Sequence, residues 1–144
     1  MNVIKTQIDF KNQKNSSNKY LLGTWCLNQK QNINDYKIIP YHWDDKEKLA
    51  KDYIYMTELY EKKLDFCYKA LNKIHNTNFN KRYWRIVIGP WLRFFLDCIF
   101  DRYESIKYAN ENIKDAEFLI YDYKKDISPN NFKEFYENML SDYW

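Results

Sequence analysis

One run of apolar side chains at helical spacing constrains this fold more than any other feature of the chain. Its members recur every three or four positions: Leu49, Tyr53, Met56, Tyr60, Leu64, Cys67, Leu71 and Ile74. At about 100° per residue they share one face, which predicts a single long amphipathic helix. Asp44 is the predicted N-cap, with Glu47 completing a capping box, and the helix is expected to end near His75.

A second helix, predicted from about Lys81 to Asn110, is apolar nearly all round and is therefore expected to be buried on most sides. Its polar positions and one glycine fall on a line that we call the polar stripe: Arg82, Arg85, Gly89, Arg93, Asp97 and Glu104. Buried charges need partners, and the spacing predicts that Arg93 pairs with Asp97. Asp97 and Asp101 repel at the same spacing, so a divalent metal ion between them is the alternative to neutralisation by arginine.

Gly89 and Pro90 interrupt the middle of this second helix. An internal proline removes a helical hydrogen bond and costs about 3 kcal/mol, while glycine loosens the backbone, so a kink is expected. Two interpretations remain open. Either the helix bends round the core, or Gly89 lets a ligand or another backbone approach between Arg85 and Arg93.

The remaining elements predict a helix-dominated α/β fold. Residues 20–26 and 117–122 read as strands, and residues 37–40 as a further short one. Residues 1–19 are predicted to be a polar leader, poorly ordered in part. Residues 20–144 are predicted to form a single, incomplete, helix-rich domain, since this length suits about one domain.

Composition excludes several classes of function. The net charge of +3 comes from 23 basic and 20 acidic side chains that are interleaved, which argues against a nucleic-acid-binding surface. The three cysteines are far apart, so neither a disulfide framework nor a zinc site is expected. Two glycines are too few for a glycine-rich phosphate loop, and no cofactor or metal is predicted. With no secretory signal and no membrane span, the cytoplasm is the expected location.

His42 is the candidate for chemistry, because it lies just ahead of the capped start of the first helix. It can be a loop histidine that bonds to the backbone. It can instead be a base, or an anion ligand at the positive end of the helix dipole. His75 is expected only to cap the end of the same helix.

Five sequence blocks resemble, in order and spacing, the amino-terminal part of a family of bacterial transferases associated with cell-surface carbohydrate synthesis. The resemblance covers residues 20–144. The blocks are LLGTWC at 21–26, PYHWDDKEKLAKDYIYMTELYEKKL at 40–64, ALNKIHN at 70–76, RYWRIVIGPWLRFFLDCIFDRYESI at 82–106 and ISPNNFKEF at 127–135.

The resemblance implies that the chain is a partial, Rossmann-like N-terminal domain. The whole enzyme would be a two-domain sugar transferase similar to glycosyltransferases. It implies an acceptor-facing part, with the nucleotide-sugar donor site in a missing C-terminal domain. His42 would be the general base for an acceptor hydroxyl. The substrate-binding candidates are Arg82, Arg85, Gly89 and Arg93 on the polar stripe, and Trp25, Tyr41 and Trp91 as surfaces that stack on a sugar ring.

A different class of protein stays open beside this one. The chain can be a non-enzymatic helical interaction module or an inactive remnant of a transferase. The apolar second helix has only one partner helix of comparable length, so an uncovered apolar face and self-association are also expected.

Overall fold

The computed structural model describes residues 2–5, 18–26, 32–119 and 129–140. In chain order its strands and helices are β1 Asn2–Lys5, β2 Asn18–Leu21, β3 Lys37–Ile38, α1 Lys46–His75, α2 Lys81–Asn112, β4 Ala116–Leu119 and α3 Phe132–Leu140. The chain divides into two compact units. The first contains Met1–Tyr41 and Ser105–Trp144, and the second is His42–Glu104.

The first unit contains a parallel sheet with the strand order β3-β2-β1-β4. Ile4 on β1 is in register with Tyr20 on β2 and Phe118 on β4. Apolar side chains from the sheet and from the end of α2 form one core: Ile4, Leu21, Leu22, Cys26, Ile39, Ala109 and Ile113. Parallel strands need such cover, which explains the apolar run of Tyr20, Leu21 and Leu22 at the end of β2.

The helix-dominated α/β prediction is confirmed in its coarse form, with three helices and a parallel sheet among the described residues. Strands occur at all three predicted places, although residues 24–26 form a 3-10 turn, and residues 120–122 lie outside the described residues. Strand β1 was not predicted, because it lies within the proposed polar leader. Residues 6–17 are outside the described residues, and for them the leader stays a prediction. The single helix-rich domain over residues 20–144 likewise stays a prediction.

The limits of α1 follow from its caps. The side chain of Asp45 accepts hydrogen bonds from the backbone N–H groups of Glu47 and Lys48, at 2.9 and 3.2 Å. The N-cap is therefore Asp45, one residue later than predicted. At the other end Asn76 is left-handed, with φ 51°, a conformation that asparagine tolerates and that ends helices. The predicted end at His75 is confirmed.

Helices α1 and α2 pair antiparallel within the second unit, and the side chain of Asn72 organises the turn between them. Its Oδ1 accepts hydrogen bonds from Thr77 Oγ1, from the backbone N–H of Phe79 and from Trp84 Nε1, at 3.0, 3.0 and 2.9 Å. Its Nδ2 donates to the carbonyl of Phe79 at 2.7 Å. One amide thus satisfies the turn and holds the first turn of α2 against α1.

Helix α2 continues through Pro90 and is less buried than its sequence predicts. Ile86 is 70% exposed and Val87 is 54% exposed, on the same face as the exposed Tyr83. The prediction of a helix buried on most sides is wrong for this part of α2. The physical reason is that α1 covers one face of α2 within this unit, and these residues point elsewhere.

Candidate functional site

His42 and Asp101 form a pair in the second unit. His42 Nε2 lies 3.0 Å from Asp101 Oδ1, although 59 positions separate the two residues in the chain. His42 precedes the N-cap of α1, and Asp101 is on α2. The imidazole is fully enclosed, with 0% of its surface exposed, whereas 24% of the Asp101 side chain is exposed. A ligand can therefore reach this pair at the carboxylate.

Trp43 and Lys48 surround the pair with a polar network. The Trp43 ring lies 4.6 Å from the His42 ring, and its Nε1 donates to Asp52 Oδ2 at 2.9 Å. Lys48 Nζ donates to Asp52 at 2.6 Å and to Glu104 at 2.8 Å. Burial alone would raise the pKa of Asp52, but hydrogen bonds from Lys48 and Trp43 outweigh it and lower this pKa. Burial would likewise lower the pKa of Lys48, and its two carboxylate partners raise it instead.

Sequence reasoning missed most of this network. Asp101 was considered only as a charge that repels Asp97, and Asp52 and Glu104 were not connected to the histidine. One signal was available, since Lys48 and Asp52 are four residues apart on a helix and therefore adjacent. The contacts between α1 and α2 had no such local signal.

The first part of the polar stripe is an ion-pair network between the two helices. Arg85 binds Glu61 through two hydrogen bonds, at 2.6 and 2.8 Å. Lys81 contacts Glu61 at 3.0 Å and Asp65 at 2.7 Å. Hydrogen bonds from Arg85 and then from Lys81 lower the pKa of Glu61 to about 2. All these side chains are part-exposed, so the predicted burial is wrong for this part of the stripe.

Arg93 holds the second part of the stripe. Its Nε donates to Asp97 Oδ2 at 2.8 Å, which confirms the predicted pair, and a terminal nitrogen lies 3.3 Å from Thr57 Oγ1. The guanidinium also lies over the Tyr53 ring, at 5.7 Å. Because about a third of each charged side chain is exposed, this pair contributes on the order of 1 kcal/mol or less.

The metal alternative for Asp97 and Asp101 gains no support from the geometry. Asp97 accepts from Arg93, and Asp101 lies against His42. Within the ranges that the structure describes, no group of three His, Cys, Asp or Glu side chains is arranged to hold a metal ion.

Gly89 makes room for a side chain of α1, which neither of the two predicted interpretations had anticipated. A carbon added at its Cβ position would lie 2.6 Å from the hydroxyl oxygen of Tyr60. The phenol of Tyr60 therefore occupies the place between Arg85 and Arg93 where a ligand or backbone was expected.

Removing the Tyr60 hydroxyl should decide whether an alanine is tolerated at Gly89. Gly89→Ala must displace the phenol and also places a Cβ beside the ring of Pro90, so it is expected to destabilise the protein. In a Tyr60→Phe background Gly89→Ala should cost about 0.5–1 kcal/mol less, because the nearest remaining atoms are in ordinary contact. Chemical denaturation of the four proteins measures this coupling. Additive effects would contradict the assigned role of Gly89.

The Glu61 network should make the free energy of unfolding of the second unit depend on pH in the acidic range. Because the folded-state pKa of Glu61 is about 2 and its usual value is 4.5, its contribution is present above about pH 4.5 and is lost as pH falls toward 2. The half-exposed site keeps this contribution at about 1 kcal/mol or less. Glu61→Gln should therefore lower the melting temperature near neutral pH and have little effect near pH 2. An equal difference at both pH values would contradict the assignment.

The aromatic candidates fall into separate groups. Trp25 is half-exposed and lies edge-on to Tyr41, with ring centroids 6.3 Å apart, in the first unit. A side chain at Gly23 would overlap the Trp25 ring. Trp91, in the second unit, stacks on Phe95 at 5.3 Å and is part-buried. Arg82 is exposed on α2.

These features define a helix-dominated α/β protein with an enclosed histidine–carboxylate pair. The chain matches the profile described as LIC12162 family transferase over residues 1–144, and it belongs to this family. No curated protein and no solved structure was found to be similar to it. Across the described residues, no helix is both long and apolar enough to cross a membrane.

Proposed function

We propose that this chain is the acceptor-facing part of a glycosyltransferase-like enzyme in cell-surface carbohydrate biosynthesis. The observation that carries the proposal is the contact of 3.0 Å between His42 and Asp101 in a protein of a transferase family. Transfer to a hydroxyl needs a group that takes its proton, and a paired imidazole and carboxylate can do so.

The His42–Asp101 pair would act as one base. As the acceptor oxygen attacks the anomeric carbon of the donor, its proton passes to the pair, and the leaving group departs with the electrons of the broken bond. Because the imidazole is enclosed, the acceptor would approach from the side of Asp101. His42 would hold this carboxylate in place and share the proton.

The stripe arginines would bind an anionic group of the acceptor. Arg85 and Arg93 are both part-exposed, and an acceptor carboxylate or phosphate would compete with Glu61 and Asp97 for their guanidinium N–H groups. Arg82 is exposed on the same helix. Gly89 lets the phenol of Tyr60 lie between Arg85 and Arg93. Trp25, Tyr41 and Trp91 are proposed as surfaces that stack on sugar rings.

The strand order also supports a partial Rossmann-like domain. The order β3-β2-β1-β4 is that of the first four strands in the classic doubly wound sheet. Here two long helices, α1 and α2, lie between β3 and β4, whereas a doubly wound fold commonly has one. The likeness is one of strand order, and it motivates the proposal of a sugar-transferase architecture.

Acceptor binding tests this function without a donor. The protein would be titrated with uronic-acid oligosaccharides and with their neutral counterparts, and binding followed by NMR. Only the anionic series should bind, and Arg85→Lys should weaken it, because lysine cannot reproduce the bidentate geometry. Lys133→Gln, an exposed change on α3, is the control. Equal binding of both series, or no effect of Arg85→Lys, would remove the anionic-acceptor assignment.

A second candidate function, self-association, is favoured by the exposed apolar side chains of α2. Ile86 and Val87 are more than half exposed, and Tyr83 lies beside them. Exposed apolar patches of this kind commonly mark interaction sites. We propose that a second copy of the chain covers this face.

Replacing Ile86 by lysine should separate such an assembly into monomers. The expected result in analytical ultracentrifugation is a mass above 17.9 kDa for the unmodified protein and a mass near that value for Ile86→Lys. The melting temperature of the monomer should not fall, because the side chain is exposed. Ile33→Lys, at another exposed isoleucine, is the matched control. A monomeric unmodified protein would exclude this candidate.

A further inference from the structure

We infer that Lys48 is a positioning residue for the His42–Asp101 pair. This role of Lys48 rests on the proposed function, whereas the contacts of Lys48 do not depend on it. The hydrogen bonds of the Lys48 ammonium group go to Asp52 and Glu104, and not to His42 or Asp101. It acts through two carboxylates, one on each of the two helices that carry the pair.

The first connection runs through Asp52 to the imidazole. Lys48 Nζ and Trp43 Nε1 both donate to the same oxygen of Asp52, at 2.6 and 2.9 Å. The Trp43 ring lies against the His42 ring at 4.6 Å, and its centroid is 6.3 Å from that of Phe100. The indole is therefore fixed at its N–H and along its faces. Lys48 fixes the position of the Asp52 oxygen that accepts the hydrogen bond from this N–H.

The second connection runs through Glu104 to the carboxylate. Lys48 Nζ donates to Glu104 at 2.8 Å, and Glu104 lies three residues after Asp101, on the same part of α2. Positions three apart on a helix are neighbours. The same ammonium group thus ties α1 to the turn of α2 that carries Asp101. It constrains both members of the pair at once.

Charge makes Lys48 hard to replace. Asp52 and Glu104 are largely buried, with 16% and 13% of their side chains exposed. Without the ammonium group these two carboxylates would lose the cation that they share, in a site that is partly shielded from water. The two like charges would then repel at short range, so the side chains would separate or take up water. Trp43 would lose its fixed acceptor, and the wall beside His42 would loosen.

The two histidines of the chain provide a direct measurement. Diethyl pyrocarbonate modifies accessible neutral imidazoles, and mass spectrometry distinguishes the enclosed His42 from the exposed His75 in the same molecule. The ratio of the His42 modification rate to the His75 modification rate reports local opening around His42. Differences in reagent concentration between samples cancel in this ratio. Lys48→Met keeps most of the side-chain length and removes the charge. It should raise this ratio by about tenfold or more, since reaction of an enclosed group follows the population of its open form.

Matched variants separate positioning from general destabilisation. Lys81→Met removes a lysine that also bridges two carboxylates, Glu61 and Asp65, but at the far end of the helix pair, and it should leave the ratio unchanged. Lys48→Arg keeps the charge and should restore the ratio to within about threefold of the unmodified protein. Trp43→Phe keeps a ring and removes the indole N–H, so it should raise the ratio while the Lys48 bridge remains.

An unchanged ratio in a folded Lys48→Met protein would overturn the inference. An equal rise in Lys81→Met would do so as well, because it would show general loosening. Should Lys48→Met not fold, Trp43→Phe and Lys48→Arg decide the question by the same ratio. The measurement needs no substrate. A His42→Ala protein that kept full transfer activity would end the proposed function and leave this result about the geometry in place.

Discussion

Under the proposed function, transfer to an acceptor hydroxyl should fall by about 10²–10⁴ when His42 is replaced by alanine, as expected for loss of a positioned base. Asp101→Asn should cause a loss of similar size, because it removes the accessible member of the pair. The two changes together should cost little more than either alone, since they disable one proton-accepting unit. Steady-state kinetics at saturating acceptor measures each effect.

The other histidine provides the control for this prediction. His75 is exposed in the last turn of α1, where its ring stacks on Trp84 at 6.0 Å. His75→Ala should change turnover by less than about twofold, because the side chain is far along α1 from the pair. Turnover that survives both His42→Ala and Asp101→Asn would return the pair to a structural role.

Asn72→Ala should cause the largest loss of stability among the polar substitutions considered above, about 2–3 kcal/mol. The change removes four hydrogen bonds. The indole N–H of Trp84 and the backbone N–H of Phe79 lose their acceptor, and the carbonyl of Phe79 loses its donor. Thermal or denaturant unfolding measures this loss. Because the turn joins α1 to α2, the loss should appear throughout the second unit.

An asparagine with a single local bond is the matched control. Asn112 donates to the carbonyl of Tyr108 at the exposed end of α2, and Asn112→Ala should cost about 0.5 kcal/mol or less. Asn72→Asp keeps an acceptor oxygen for Trp84 and should recover part of the lost stability. A loss in Asn72→Ala no larger than that in Asn112→Ala would show that the turn does not depend on this amide.

The sequence predicted the long helices well and the sheet only in part. Caps and periodicity are encoded within a few residues, which is why α1 was placed to within one residue at its start and correctly at its end. Strand β1 was missed, because four residues with polar ends carry little signal. Its place in the sheet comes from pairing with β2 and with the distant β4.

For the candidate site, the sequence predicted single residues and local pairs. His42 was singled out by its position before a helix, and the Arg93–Asp97 pair followed from a spacing of four. The burial of the first part of the polar stripe was predicted wrongly, because periodicity shows which residues share a face but not what covers it. The roles proposed for Arg82, Trp25, Tyr41 and Trp91 stay predictions.

By itself, then, the sequence determined the local structure: where α1 begins and ends, which side chains share a face, and that the chain resembles a transferase family. Only the tertiary structure brought His42 to Asp101 across 59 positions, and Lys48 to Glu104 across 56. These contacts depend on how far α2 is displaced along α1, and no repeat in either helix encodes that displacement. It follows from non-local packing, including the fit of Tyr60 over Gly89 and the turn held by Asn72.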